Sequence, residues 1–187
     1  IQGMPSTVKR ELARKIDDDS PIIRRLAATT IGDLVPFPKF GVEVLSAGLG
    51  DSHAEVRAAA AESVRDAGSK AASLESLLVA TLATESDEAV RVSLVHAVAA
   101  VGTKPDKLVG CLAANLKQDA PAVRVAALEE LAKLDVIPAS LSSPLDRALS
   151  DRETEIRGLA ALAMARLRDK RRTTGVLVLA LEDADPT

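Results

Sequence analysis

The chain has 187 residues, 47% of them apolar and 27% charged, the balance of a folded, core-forming chain and not of a disordered one. Phe37 and Phe40 are its only aromatics, which limits recognition of bases, sugars or methylated ammonium groups by stacking. A formal net charge of −3 and a pI near 5.5 give no overall attraction to nucleic acid or anionic membrane.

From the N-terminus, Ile1, Gln2 and Gly3 ahead of Met4 read as a tag remnant. No basic stretch followed by an apolar core marks a signal peptide, and no apolar run approaches the roughly 20 residues of a spanning helix. The single cysteine, Cys111, has no internal disulfide partner and points to a reducing, cytoplasmic setting.

One phrase then recurs: an acid, a short turn, Val or Ile, Arg, and small residues. It reads Asp19-Ser-Pro-Ile-Ile-Arg24, Asp51-Ser-His-Ala-Glu-Val-Arg57, Asp87-Glu-Ala-Val-Arg91, Asp119-Ala-Pro-Ala-Val-Arg124 and Asp151-Arg-Glu-Thr-Glu-Ile-Arg157, with arginine spacings of 33, 34, 33 and 33. A second ladder, Leu12, Leu45, Leu78, Leu112, Leu145 and Leu177, is spaced by 33, 33, 34, 33 and 32, and an Ile or Leu follows each member four residues later. Self-similarity at this period signals a repeat array.

Each unit predicts two helices. Helix A carries the Leu pair on one face. Helix B carries an apolar stripe, Val56, Ala60, Val64, Ala67 in the second unit and Val123, Ala127, Leu131, Leu134 in the fourth. Ser52 with Glu55 fits a capping box, Pro21 and Pro121 fit the first helical position, and Gly32, Pro36, Gly68, Gly102, Pro105 and Pro138 punctuate the B-to-A turns. The expected architecture is one all-α solenoid domain over 4–187, because stacked helix pairs bury a core that one pair cannot. Its units span about 6–35, 38–68, 72–102, 105–135 and 140–170, with a partial sixth over 173–187.

These phrases resemble the HEAT repeat in its short form, as in phycobilisome-lyase-like proteins, from Val8 to Asp183. The resemblance implies an α-α superhelix with B helices on the concave face, and a role in binding other macromolecules more often than catalysis. Iron-holding His-Glu dipeptides of HEAT-like hydroxylases are missing, as are the aromatics of HEAT-like DNA glycosylases.

The arginine column, Arg24, Arg57, Arg91, Arg124 and Arg157, is expected to face the turn acids Asp19, Asp51, Asp87, Asp119 and Asp151 and to tie successive turns together. Its other reading is a basic stripe for phosphate. The outward B-helix rows are Arg25, Ala58, Val92, Val125, Gly158 and Thr29, Glu62, His96, Glu129, Leu162. Apolar Val92 and Val125 among charges predict a shallow partner-binding groove using Arg25, Glu62, Val92, His96, Val125 and Glu129. The alternative is that small residues merely let helices approach. His96 between Glu62 and Glu129 has the composition of a metal or acid–base site, but one rung offers too little convergence, and a solvated histidine is the default. His53 reads as inert and Cys111 as a packed thiol. Asp17-Asp18-Asp19 lacks calcium-loop spacing.

The run Arg166, Arg168, Lys170, Arg171 and Arg172 is a candidate basic patch, or else charge compensation at a helix end. Val176, Leu177, Leu179 and Leu181 predict an unpaired last helix able to self-associate or to meet further chain. The functional expectation is therefore a non-catalytic scaffold for a protein or peptide, with no cofactor, metal or catalytic residue, no membrane, and nucleic acid disfavoured. Two alternatives stand beside it: a bilin-lyase-like subunit, and a binder of acidic or phosphate-bearing partners through the basic run.

Overall fold

A computed structural model describes residues 5–34, 37–118 and 120–167. These residues fall into two compact units divided between Leu108 and Val109. The first unit holds α1 (Ser6–Arg14) with a 3₁₀ turn at Lys15–Asp17, α2 (Pro21–Asp33), α3 (Gly41–Leu49), α4 (Ala54–Ala67), α5 (Glu75–Thr84) and α6 (Glu88–Ala100). The division lies inside α7 (Pro105–Asn115), and the second unit continues with α8 (Pro121–Ala132), α9 (Ser142–Ala148) and α10 (Thr154–Met164). Among the described residues there are ten α-helices and no strand beyond an isolated bridge between Ile137 and Leu167. The architecture is all-α, with α2, α4, α6, α8 and α10 as B helices and the odd-numbered helices as A. Asp119, Pro36, the suspected tag and the expected helix at Val176, Leu177, Leu179 and Leu181 lie outside the described residues.

Local chemistry accounts for the helix ends. Pro21 and Pro121 open α2 and α8 at the first turn, where a missing N–H costs nothing. Asp87 caps α6 by accepting the Val90 N–H at 3.0 Å. The expected Ser52/Glu55 box does not form. His53 is the N-cap of α4, the Ser52 hydroxyl lies 3.0 Å from His53 Nδ1, and Asp51 accepts the His53 N–H at 2.8 Å. The carboxylate ahead of Ser52 has taken over the turn. Gly68 (φ +57°) and Gly102 (φ +79°) reverse the chain after α4 and α6, in backbone that disfavours a Cβ.

The two sequence stripes form the core. Leu45, Leu49, Leu78 and Leu82 of the A helices are buried, as are Val56, Ala60 and Val64 of α4 and Val123, Ala127 and Leu131 of α8. Each large side chain so buried contributes roughly 1.5–3 kcal/mol. In the first unit α4 packs along both α2 and α6, far more extensively than α3 packs on α5. Small side chains allow it. The Ser63 hydroxyl of α4 donates to the Ala28 carbonyl of α2 at 3.0 Å, and Ala59, Ala60 and Ala61 are buried nearby.

Gly32 belongs to this contact and not to the following turn, where the sequence suggested it. It lies within α2, and a Cβ there would sit 2.5 Å from Ser63 Oγ and 2.9 Å from Ser63 Cα. Leu26 on α2 shows the reverse. Two residues past the arginine, α4 and α6 carry the buried Ala59 and Ser93, small enough for the preceding B helix. Leu26 occupies that register on the first B helix and is 48% exposed.

Two glycines inside helices therefore respond oppositely to alanine. Gly32→Ala should cost about 1–3 kcal/mol through overpacking. Gly158 has nothing within 4 Å of its added Cβ, so Gly158→Ala should stabilise by about 0.5–1 kcal/mol through helix propensity. Urea unfolding of both variants checks the pair; a stabilised Gly32→Ala would contradict the close α2–α4 approach.

Candidate functional site: the turn clamps and the open B-helix face

At three A-to-B turns the arginine of the recurring phrase makes two sets of bonds, and Arg91 donates from Nη1 to the carbonyls of Leu82 and Glu85 at 3.2 and 2.7 Å. Arg24 donates from Nε and Nη2 to Asp51 at 2.6 and 3.0 Å, and from Nη1 to the carbonyls of Asp18 and Asp19 at 2.8 and 3.0 Å. Arg57 donates to both oxygens of Glu85 at 2.7 and 2.9 Å and to the carbonyls of Asp51 and Ser52. Arg124 does the same to Asp151, at 2.9 and 3.0 Å, and to the Gln118 carbonyl. Arg157 donates to the carbonyls of Asp151 and Arg152. One guanidinium thus fixes its own turn through backbone carbonyls and the next turn through a carboxylate, a use of the planar fork that lysine cannot reproduce.

The partner acids differ from the expected set. The acid lies six residues before the next repeat's arginine, at Asp51, Glu85 and Asp151, so the column reads Asp18, Asp51, Glu85, Gln118, Asp151. Asp19 contributes a carbonyl to Arg24, and Asp87 is occupied as the α6 cap. Asp87 stands four residues before Arg91, where Glu85 stands six before it as Asp51 and Asp151 do before Arg57 and Arg157. His53 is not inert either: Arg24 Nη2 lies 3.1 Å from its Nδ1.

The clamps are partly buried, with 4–17% of each side chain exposed in the Arg24–Asp51, Arg57–Glu85 and Arg124–Asp151 pairs. The Arg24 bond outweighs burial and holds the Asp51 carboxyl down at about 2. Arg57 lowers Glu85 in the same way, against its burial, with help from the Asp87 and Ser86 N–H groups. Burial works to raise Asp151, but Arg124 and the Glu153 N–H together leave it lowered. These groups are ionised and engaged, which makes Arg24, Arg57 and Arg124 structural and not a phosphate stripe.

The B helices present their remaining side outward. In the first unit Arg25 and Glu62 are exposed and Val92 and His96 half-buried; in the second, Val125 and Glu129 are half-buried and Leu162 is 60% exposed. Arg25 stands on α2, Glu62 on α4, Val92 and His96 on α6, and Val125 and Glu129 on α8. No cluster of three or more His, Cys, Asp or Glu suited to a metal occurs among the described residues. Of the basic run, Arg166 is exposed and donates to the Leu134 carbonyl at 3.1 Å; Arg168, Lys170, Arg171 and Arg172 lie outside the described residues.

A family model described as HEAT repeats matches residues 9–99. Residues 9–99 are HEAT repeats. No curated protein matches it. Among solved structures, a designed armadillo repeat protein in complex with the peptide (KR)4 aligns with a TM-score of 0.65 and 15% identity, over 92% of this chain and 88% of that one. Two engineered proteins align with TM-scores of 0.62. One is 16% identical over 92% of this chain and 85% of its own; the other is 21% identical over 83% and 77%. At these identities the likeness is one of fold, a helical-repeat solenoid. No described helix is long and apolar enough to cross a membrane.

The clamps predict acid sensitivity. Because folding lowers the Asp51 carboxyl from 3.8 to about 2, its contribution is fully present above pH 4 and is lost as pH falls through that interval. The loss should be about 1–2 kcal/mol. In Asp51→Asn this part of the pH slope should vanish, which urea titrations at stepped acidic pH will show. Arg124→Ala should cost about 1–3 kcal/mol at neutral pH.

Proposed function

We propose that this chain is a non-catalytic scaffold that binds a protein or peptide along the open faces of its B helices. The residues taking part are Arg25, Glu62, Val92 and His96 in the first unit and Val125 and Glu129 in the second. The observation that carries the reading is the composition of that face. A face that merely met solvent would be polar throughout, whereas Val92 and Val125 are half-exposed among charged neighbours, the mix of apolar centre and polar rim found at interfaces.

The repeat architecture supports the same reading. The polar residues that recur from unit to unit, Arg24, Arg57, Arg124, Asp51, Glu85 and Asp151, are engaged in clamping turns, which leaves the variable outward rows for recognition. The designed armadillo repeat protein of similar fold holds a peptide. The lone Cys111 supports a reducing, cytoplasmic setting.

The test begins with peptides selected from a display library on the purified chain. Val92→Asp should weaken the selected peptides at least about tenfold, since a charge is then desolvated at the interface centre. Ala83→Asp, on the exposed side of helix A α5, should leave binding unchanged. The opposite pattern, with both variants folded, would move the site to the A helices.

A further inference from the structure

The clamps floor a groove that recurs along the turn edge, and two copies of it differ in charge. In the first unit the copy over Arg57 and Glu85 is walled by Leu49, Gly50, Thr81 and Ser86. In the second unit the copy over Arg124 and Asp151 is walled by Leu116, Lys117, Pro144 and Arg147, and encloses about 240 Å³. The register is shared. Lys117 stands seven residues before its clamp arginine, as Gly50 does; Arg147 stands four before its clamp acid, as Thr81 does. A glycine and a threonine in one copy are thus two cations in the other.

Both cations are exposed. Among the described residues neither enters an ion pair, and Arg147 makes one long bond, from Nε to the Ser143 carbonyl at 3.5 Å. Asp151, the one carboxylate among the described residues lining this groove, is held on both oxygens by Arg124 at 2.9 and 3.0 Å. Among the described residues Lys117 and Arg147 therefore remain as surplus positive charge beside an apolar wall of Leu116, Pro144 and Ala148. A lysine point charge and an arginine fork side by side suit a group with two negative charges and several acceptor oxygens. A phosphate monoester is such a group, carrying close to two charges above its second pKa of about 6, where a carboxylate carries one. The volume suffices for a phosphate with several waters, each of which takes roughly 30 Å³ in the liquid.

We infer that the second unit carries a phosphate-binding groove in which Lys117 and Arg147 hold the anion, on the turn edge and separate from the B-helix face. Two sources share this chemistry, a free phosphate compound and a phosphorylated side chain of a bound segment. Calorimetric titration of the full chain at low ionic strength, above the second phosphate pKa, tests it with inorganic phosphate and with an end-blocked Ala-Ala-phosphoserine-Ala-Ala peptide. Lys117→Gly/Arg147→Thr gives the second groove the residues of the first and should weaken both probes at least about tenfold, with circular dichroism unchanged. Arg10→Gln/Lys70→Gln removes the same charge from exposed positions elsewhere and should change affinity by no more than about twofold, as screened long-range charge. A peptide that binds at least about tenfold tighter than inorganic phosphate assigns the groove to a phosphorylated segment; comparable affinities assign it to a free phosphate compound. Absence of binding by either probe, or equal weakening in the two double variants, overturns the proposal.

Discussion

Each clamp arginine is held at both ends of its planar fork. Nη1 donates to carbonyls of the turn that precedes its own helix, while Nε and Nη2 donate to a carboxylate 27 or 28 residues further along. An A-to-B turn has backbone carbonyls that no helix satisfies, and a buried carbonyl without a donor is costly. The guanidinium removes that cost within one repeat and uses its remaining donors to set the distance to the next. At these three turns the repeat spacing is therefore tied to one side chain, and a change of one residue is absorbed by the acid: Glu85, one methylene longer than Asp51, reaches Arg57.

With the turns fixed at the edge, α2 and α4 approach closely through Ala28, Gly32 and Ser63. Close approach spends the small residues on inter-helix contact and turns one side of every B helix outward. The outward positions carry what differs from unit to unit: Arg25, then Ala58, then Val92; Thr29, then Glu62, then His96. The recurring positions hold the scaffold. The same division operates at the turn edge, where the groove keeps its clamp floor and exchanges Gly50 and Thr81 for Lys117 and Arg147.

Much of this was legible in the sequence. The 33-residue ladders gave the helix pairs, the buried Leu and Val stripes and the outward rows, because burial on one side of a helix leaves a periodicity that needs no knowledge of the neighbour. The clamp was legible as a column of arginines and acids but was misassigned at two turns. Asp87 and Glu85 are both acids within two residues of one another, and composition cannot say which caps a helix and which reaches across. His53 was missed because its partner, Arg24, is 29 residues away.

The sequence by itself determined the all-α repeat class, the helix pairs and which face of each B helix is buried, since these follow from local propensity and period. Only the tertiary structure decided that Gly32 is a helix-contact residue and not a turn residue, that Arg57 takes Glu85, and that Lys117 and Arg147 line one groove. Each of these depends on how closely elements from different repeats approach, and a linear pattern specifies the spacing of residues along a helix but not the distance to its neighbour.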